Sequence, residues 1–185
     1  MEAASLRPMK TLHPGPIPDS YWVEPGSLVA GEYPRNQDDA SSPAKLRRLL
    51  EARVTLFLDL TEPGESGLKP YGQLLRGEAA KLGGKACHRR FAIPDMGTAP
   101  PATMRLILDE IDAAVGQGDV VYLHCYGGIG RTGTVVGCYL VRHGMTGDAA
   151  LARIASLRAG TPDGRKVSPE THEQRQMVLG WQPGR

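Results

Sequence analysis

The chain is poor in cysteine, in aromatic residues and in uninterrupted apolar sequence, and these shortages exclude several classes of protein. Of its 185 residues, three are cysteines and 5% are aromatic. Three cysteines cannot form a complete disulfide framework, so we expect free thiols and a cytoplasmic protein. No apolar run approaches the ~20 residues of a membrane span, and we expect no membrane partner. The first residues also lack the apolar stretch of a secretory signal.

An excess of charge of either sign is also missing. Lysine and arginine number 22 against 20 acidic residues, for a formal net charge of +2. Such a balance provides no general attraction to nucleic acid, so no nucleic-acid partner is expected. The length suits one domain, and a hydrophobic content of 41% is enough to form a core. Nothing in the sequence indicates an oligomeric state.

Prolines concentrate near the N-terminus, where residues 1–26 hold five of the fifteen in the chain. This density predicts an extended, proline-rich arm over residues 1–26, anchored at its end by Tyr21, Trp22 and Val23. The remaining residues, 27–185, are predicted to form the folded domain.

Hydrophobic patterning along that domain predicts strands that alternate with helices. The continuous apolar runs 54–60 and 120–123 are typical of strands covered on both faces. A shorter strand is predicted at 27–30 and another at 85–93. Helices are predicted from Pro43 and over 71–83, 101–115, 131–143, 147–158 and 168–181, the last with Ser168 as its N-cap. This order indicates an α/β fold in which helices flank a central, mostly parallel sheet.

The most informative segment is His124–Gly133, which reads HCYGGIGRTG. A buried strand delivers Cys125 to its carboxyl end, and the glycines that follow allow the backbone to turn its N–H groups inward. Arg131 then begins a helix, so amides, a helix N-terminus and a guanidinium converge on one anion-sized pocket. This environment favours the thiolate of Cys125, which is the form that attacks phosphorus.

Two other interpretations fit parts of this segment. Cys125 could be a buried structural cysteine above a glycine-rich turn. The glycines at 128, 130 and 133 also match the G-x-G-x-x-G pattern of dinucleotide-binding proteins. That site requires another strand with an acidic residue about 20 positions later, where this sequence predicts a helix. A Walker-type loop is excluded because no Gly-Lys pair follows.

The pattern Cys-x5-Arg-Thr resembles the signature of the cysteine-dependent protein tyrosine phosphatase superfamily. The sequence is most similar to its small dual-specificity branch, which includes the kinase-associated phosphatase and its relatives. The resemblance extends over about residues 26–182 and implies a phosphatase-like fold without metal or other cofactor. It implies that the phosphate is bound by the loop residues Tyr126, Gly127, Gly128, Ile129, Gly130 and Arg131.

The resemblance also implies roles for residues around the loop. Asp95, in the sequence FAIPDMG, would be the general acid. Asp59 is the rival carboxyl group, the alternative being that it shapes the loop beside the pocket. Thr132 would donate its hydroxyl to the sulfur of Cys125, and His124 would orient the loop. Gln174 is the candidate for positioning the attacking water, the alternative being an exposed polar residue in the first helical turn.

Three further residues have no role in this chemistry. Arg158 is expected to be an ordinary surface arginine, with pairing to an acidic loop residue or contact with substrate as the alternatives. Cys87 and Cys138 are expected to be buried packing residues, with a reversible disulfide to Cys125 as the alternative.

Our prediction of the substrate class rests on the composition of the loop between Cys125 and Arg131. No lysine or arginine lies between Cys125 and Arg131, whereas relatives that act on inositol phosphates usually carry basic residues there. We therefore expect a phosphoprotein substrate, with phosphotyrosine and phosphoserine or phosphothreonine both accepted in a shallow cleft. The alternatives are a small-molecule phosphatase, for example of an inositol phosphate, and a non-catalytic module that binds phosphorylated residues.

Overall fold

A computed structural model describes residues 14–184 of the protein. These residues form five β-strands and six α-helices. The strands are β1 (Ser20–Glu24), β2 (Leu28–Gly31), β3 (Val54–Asp59), β4 (Cys87–Arg90) and β5 (Val120–His124). The helices are α1 (Ser42–Glu51), α2 (Gly72–Lys81), α3 (Pro101–Gly116), α4 (Gly130–Arg142), α5 (Gly147–Arg158) and α6 (His172–Gly180). None of these helices has the length and apolar character needed to cross a membrane.

All five strands belong to one sheet, in the order β1-β2-β5-β3-β4. β2, β5, β3 and β4 are parallel, and β1 pairs with β2 in the antiparallel sense at one edge. Helices pack on both faces, with α3 to α6 over one apolar cluster and α1 and α2 over the other. The predicted α/β fold with a central, mostly parallel sheet flanked by helices is therefore confirmed.

The sheet begins earlier than the sequence predicted. The expected arm over residues 1–26 includes β1, whose Ser20 and Tyr21 are buried and pair with Gly31 and Ala30. Ile17 is also buried, against α1. The packed domain therefore includes residues before 27. The prolines within positions 14–18 precede β1, and proline is compatible with β1 because β1 is an edge strand. Residues 1–13 of the predicted arm lie outside the described part.

Two other predicted elements are shorter than expected. The strand predicted over 85–93 is limited to Cys87–Arg90, where an edge position leaves much of it exposed. The last helix begins at His172 after the N-cap Thr171, so Ser168 is not its cap. Ser168 instead donates its buried hydroxyl to the carbonyl of Ile129, 2.7 Å away, in the glycine-rich loop.

Strand register brings the carboxyl ends of the parallel strands to one edge of the sheet. Gly31 of β2 and Asp59 of β3 both lie level with His124 of β5, and Arg90 of β4 lies level with Asp59. The loops that follow these residues therefore surround the segment that follows β5. In open α/β sheets this edge is where ligands bind.

Candidate active site

Cys125 lies at the carboxyl end of the central strand, at the base of a cavity of about 280 Å³. Every residue of β5 is buried, and Cys125 itself is 3% exposed. The next residues form the glycine-rich loop, and α4 begins at Gly130. The backbone amides of the loop and the positive end of α4 thus lie beside the thiol, an arrangement that binds anions.

Gly128 explains why this loop requires glycine at its centre. It adopts a left-handed φ of +69°, and a Cβ atom there would lie 2.4 Å from the backbone carbon of Gly31. The loop is held against the turn after β2, where the amide of Tyr33 donates to the carbonyl of Tyr126 at 2.8 Å. Gly128 was expected to bind substrate, but it packs behind the loop and does not line the cavity.

His124 holds the loop from beneath, in the orienting position that the resemblance implied. Its Nδ1 lies 3.2 Å from the carbonyl oxygen of Cys125, and its Nε2 lies 2.7 Å from the hydroxyl of Tyr71. Because a carbonyl can only accept, Nδ1 carries the proton and Tyr71 donates to Nε2. Burial lowers the pKa of His124 to about 4, so the ring is neutral at physiological pH. Tyr71 was not identified from the sequence.

Arg131 is buried and bound by a carboxylate that the sequence analysis did not single out. Its two terminal nitrogens each donate to one oxygen of Glu65 at 2.6 Å, and Nη1 also donates to the carbonyl of Ile93 at 3.0 Å. Burial raises the pKa of Glu65, but the hydrogen bonds and charge of Arg131 lower it by more. This bidentate pair holds the guanidinium plane at the cavity wall, where it can bind two oxygens of a phosphoryl group.

Asp95 contacts the same guanidinium as Glu65. Its Oδ1 lies 3.0 Å from Nη2 of Arg131, and its side chain is 60% exposed, at the mouth of the cavity. The next residue, Met96, has a left-handed φ of +60°, and such strained backbone is concentrated at functional sites. An exposed carboxyl group that lines the same cavity as Cys125 can protonate a leaving oxygen.

The rival acid, Asp59, has a different role. It is fully buried and accepts hydrogen bonds from Thr61, His88 and Arg90, at 2.6 to 3.1 Å. Burial alone would raise the pKa of Asp59, but these hydrogen bonds lower it by a larger amount. The net effect is a lowered pKa, so the carboxylate stays charged. Asp59 does not line the cavity, and it ties together β3, β4 and the loop that carries Glu65.

The cavity brings together most of the residues that the sequence placed in the site. Those predicted residues are Asp95, Cys125, Tyr126, Gly127, Ile129, Gly130, Arg131 and Gln174. Thr132 lies behind the thiol with a buried hydroxyl that has no hydrogen-bond partner within the described residues, so the expected bond to sulfur is not formed. Four lining residues were not predicted: Met96, Asp163, Lys166 and Glu170.

Gln174 is buried, in contrast to the exposed residue that one interpretation expected. It forms a capping box with Thr171, and its Oε1 accepts from the amides of Glu170 and Thr171 at 3.0 and 3.1 Å. Its Nε2 donates to the carbonyl of Gly97 at 3.0 Å, next to the loop that carries Asp95. Gln174 therefore joins the start of α6 to the acid loop.

Arg158 is likewise buried and is not the surface arginine that was expected. Its guanidinium donates to the carbonyls of Lys166 and Asp163 at 2.7 and 3.0 Å. These bonds shape the segment after α5, which forms one wall of the cavity through Asp163, Lys166 and Glu170. Both partners lie within eight positions of Arg158, but no regular helix or strand links them, so hydrophobic periodicity does not reveal the contact.

The three cysteines are free thiols. Cys138 is buried on α4, as expected, and burial raises its pKa to about 12. Cys87 is exposed, against expectation, because β4 is an edge strand. Its register places it level with Val121, four residues or about 13 Å along the strand from Cys125, beyond the ~7 Å reach of a disulfide.

The dinucleotide interpretation is wrong. It required a further strand after the glycine-rich helix, but the chain continues from α4 into α5 and α6 without another strand up to residue 184. The glycines at 130 and 133 have packing roles instead: a Cβ on either would meet side chains of the segment that leads into α6.

The proteins whose sequences are similar to this chain include named phosphatases, in agreement with the geometry of the site. The dual specificity protein phosphatase CDC14AB of Danio rerio is 27% identical over 171 residues, which cover 90% of this chain and 26% of that protein. The chain spans only 14 to 38% of the lengths of the curated relatives that it matches.

Two solved structures share the fold at lower identity. PTPMT1 in complex with PI(5)P superposes with a TM-score of 0.66 at 18% identity, over 86% of this chain and 92% of that one. Kinase-associated phosphatase superposes with a TM-score of 0.61 at 18% identity, over 82% and 83% of the two chains.

The match to a protein family extends far beyond the ten-residue signature His124–Gly133. Residues 18–178 match the PTP-SAK family, described as "Swiss Army Knife protein, DSP-PTPase phosphatase domain". The match begins just before β1 and ends within α6, so it includes every strand and every residue of the cavity. The chain therefore belongs to the dual-specificity branch of the protein tyrosine phosphatases.

Proposed function

We propose that this protein hydrolyses phosphomonoesters of phosphoproteins through a phosphocysteine intermediate. The observation that carries the proposal is the placement of Cys125, Arg131 and Asp95 around one cavity. Cys125 attacks phosphorus, Arg131 binds the equatorial oxygens, and Asp95 protonates the departing oxygen. A water molecule then attacks phosphorus, and the sulfur leaves as the thiolate.

The charge of the cavity supports a phosphoprotein over a multiply phosphorylated small molecule. Arg131 and Lys166 are the basic residues in its lining, against three carboxylates, and Lys166 is paired with Asp163 at 2.8 Å. An inositol phosphate or phosphoinositide presents additional phosphates that would meet carboxylates here. The structural likeness to PTPMT1, which was solved with PI(5)P, makes a phosphoinositide the alternative to test.

Acceptance of both phosphotyrosine and phosphoserine or phosphothreonine is part of the same proposal. It is supported by the rim, where Met96 and Tyr126 are each about half exposed and leave the cavity mouth open. A phosphoryl group on a short side chain can reach Cys125 only across such a low rim.

A cytoplasmic site of action also belongs to the proposal. It is supported by the free thiols, because a catalytic thiolate requires a reducing compartment. Fractionation of cells that express the full chain tests it, and recovery in an oxidising compartment would contradict it.

The substrate is tested by comparing kcat/KM for four phosphate donors. These are phosphotyrosine peptides, phosphoserine or phosphothreonine peptides, vesicles that contain PI(5)P, and soluble inositol phosphates. We expect turnover of both peptide classes by the wild type, and none by Cys125→Ser. A larger kcat/KM for PI(5)P or an inositol phosphate would overturn the phosphoprotein assignment. Peptide binding without turnover by the wild type would favour the non-catalytic module.

A further inference from the structure

The second half of the proposed reaction requires a group that orients water, and the cavity contains an unassigned carboxylate suited to this task. Glu170 lies in the segment between α5 and α6, next to the N-cap of the last helix. Glu170 is exposed and lines the same cavity as Cys125. Its carboxylate accepts no hydrogen bond and forms no ion pair within residues 14–184, and its charge acts on Lys166 of the same cavity. An uncommitted carboxylate in such a cavity is a candidate acceptor for a polar ligand.

The position of this carboxylate is defined by the start of α4. A Cβ atom placed on Gly130 would lie 3.0 Å from Oε2 of Glu170, and equally 3.0 Å from both amide atoms of Gln174. Glu170 and Gln174 therefore meet directly above the end of the glycine-rich loop. Gly130 and Cys125 line the same cavity, and a side chain at position 130 would occupy the space beside Glu170 and Gln174.

Water that attacks phosphorus must direct a lone pair at it, so its two O–H groups need acceptors elsewhere. Gln174 cannot supply one, because its Oε1 already accepts from two backbone amides, of Glu170 and Thr171. These two N–H donors also determine which amide atom is oxygen. The remaining N–H of Gln174 can only donate. The role that the resemblance implied for Gln174 thus lacks an acceptor.

The other carboxylates of the cavity are committed elsewhere. Asp163 is paired with Lys166 at 2.8 Å. Asp95 becomes a carboxylate after it protonates the leaving oxygen, and it can then accept one proton of the water. The second O–H group still requires an acceptor, and Glu170 is the lining carboxylate that accepts no hydrogen bond within the described residues.

We propose that Glu170 orients the water that hydrolyses phosphocysteine, an inference that rests on the proposed function. The water oxygen forms a bond to phosphorus while the bond from phosphorus to the sulfur of Cys125 breaks, and that electron pair returns to sulfur. One proton of the water passes to Asp95, and the other stays on the new phosphate oxygen, hydrogen-bonded to Glu170 in the transition state. Inorganic phosphate and the starting thiolate are the products.

If Glu170 has this role, its replacement should slow the second step of the reaction, dephosphorylation of Cys125, and not the first step. Replacing Glu170 with alanine should leave thiol phosphorylation intact and slow dephosphorylation at least about tenfold. Phosphocysteine should therefore accumulate during turnover. The inhibition constant of inorganic phosphate should not rise, because the carboxylate repels the anion and does not bind it. Glu170→Gln keeps an acceptor oxygen and should recover most of the rate.

Rapid acid quench with p-nitrophenyl phosphate, followed by mass spectrometry of the Cys125 peptide, measures both steps. Glu173→Ala is the matched control, since Glu173 is an exposed acid on the first turn of the same helix and does not line the cavity. We expect phosphocysteine to accumulate in Glu170→Ala and to decay at the wild-type rate in Glu173→Ala.

Two results would overturn the assignment: wild-type decay of phosphocysteine in Glu170→Ala, or a loss of rate matched by weaker phosphate binding. Loss of the rate in Glu170→Gln to the same extent as in Glu170→Ala would also contradict an acceptor role. A wild type that forms no phosphocysteine and releases no phosphate would instead refute the proposed function itself.

Discussion

Replacing Glu65 with alanine is predicted to disable Arg131 without changing the nucleophile. The Glu65 side chain is 7% exposed, and each of its oxygens accepts one hydrogen bond of 2.6 Å from the guanidinium. Hydrogen bonds to charged groups contribute about 1.5–3 kcal/mol each, and removal of one partner of a buried ion pair costs about 3–5 kcal/mol. Because Arg131 keeps its bond to Ile93 and its contact with Asp95, we expect a loss of about 2–3 kcal/mol in unfolding free energy.

The effect on catalysis should be larger than the effect on stability. Without Glu65, Asp95 becomes the remaining carboxylate on the guanidinium, which draws the acid away from the leaving oxygen. The plane of Arg131 also loses the bidentate contact that orients it toward phosphate. Loss of one preorganised electrostatic contact typically costs 10²–10³ in rate, so we expect kcat/KM to fall about 100-fold.

The assay compares kcat/KM for p-nitrophenyl phosphate with urea unfolding of the same protein. Glu62→Ala is the control, because Glu62 is an exposed acid on the same loop. A folded Glu65→Ala protein whose kcat/KM stays within about threefold of wild type would refute the reasoning, since Arg131 would then need no orienting partner.

Three further changes test other parts of the site. Gly128→Ala should destabilise the loop by at least ~1–2 kcal/mol for its left-handed φ, before the clash with Gly31 is added, and thermal unfolding with phosphate-binding measurements would show it. Asp95→Asn should slow alkyl phosphates more than aryl phosphates, whereas equal losses would contradict its role as the acid. The folded-state pKa of His124, about 4, lies below the ~6.5 of an unfolded histidine, so the unfolded state binds more protons between these values. Stability should therefore fall by about 2 kcal/mol as the pH is lowered from about 7.5 to about 5, and His124→Asn should remove this part of the pH dependence in urea titrations.

The sequence predicted the fold and the phosphate loop because both depend on local patterns. Strands β3 and β5 are continuous apolar runs, and their burial between other strands follows directly from that composition. The loop after Cys125 is defined by glycine spacing and by Arg131, which lie within one short segment. Asp95 was located by its distance from the cysteine in the family pattern.

The sequence predictions failed for residues whose environment is set by tertiary contacts and not by the local sequence pattern. Glu65 lies 66 positions before Arg131, and no periodicity connects the two. Gln174 donates to the carbonyl of Gly97, 77 positions earlier, and Arg158 is buried by carbonyls of the irregular segment that folds back on it after α5. The exposure of Cys87 depends on the strand order, which places β4 at the sheet edge.

The central claim is that Cys125 is a nucleophile that carries the phosphoryl group. The most direct measurement is the mass of the Cys125 peptide after acid quench during turnover of p-nitrophenyl phosphate, with a chelator and a thiol reductant present. We predict phosphate release and a phosphorylated Cys125 in the wild type, and neither in Cys125→Ser. Phosphate release by Cys125→Ser at the wild-type rate would contradict the account.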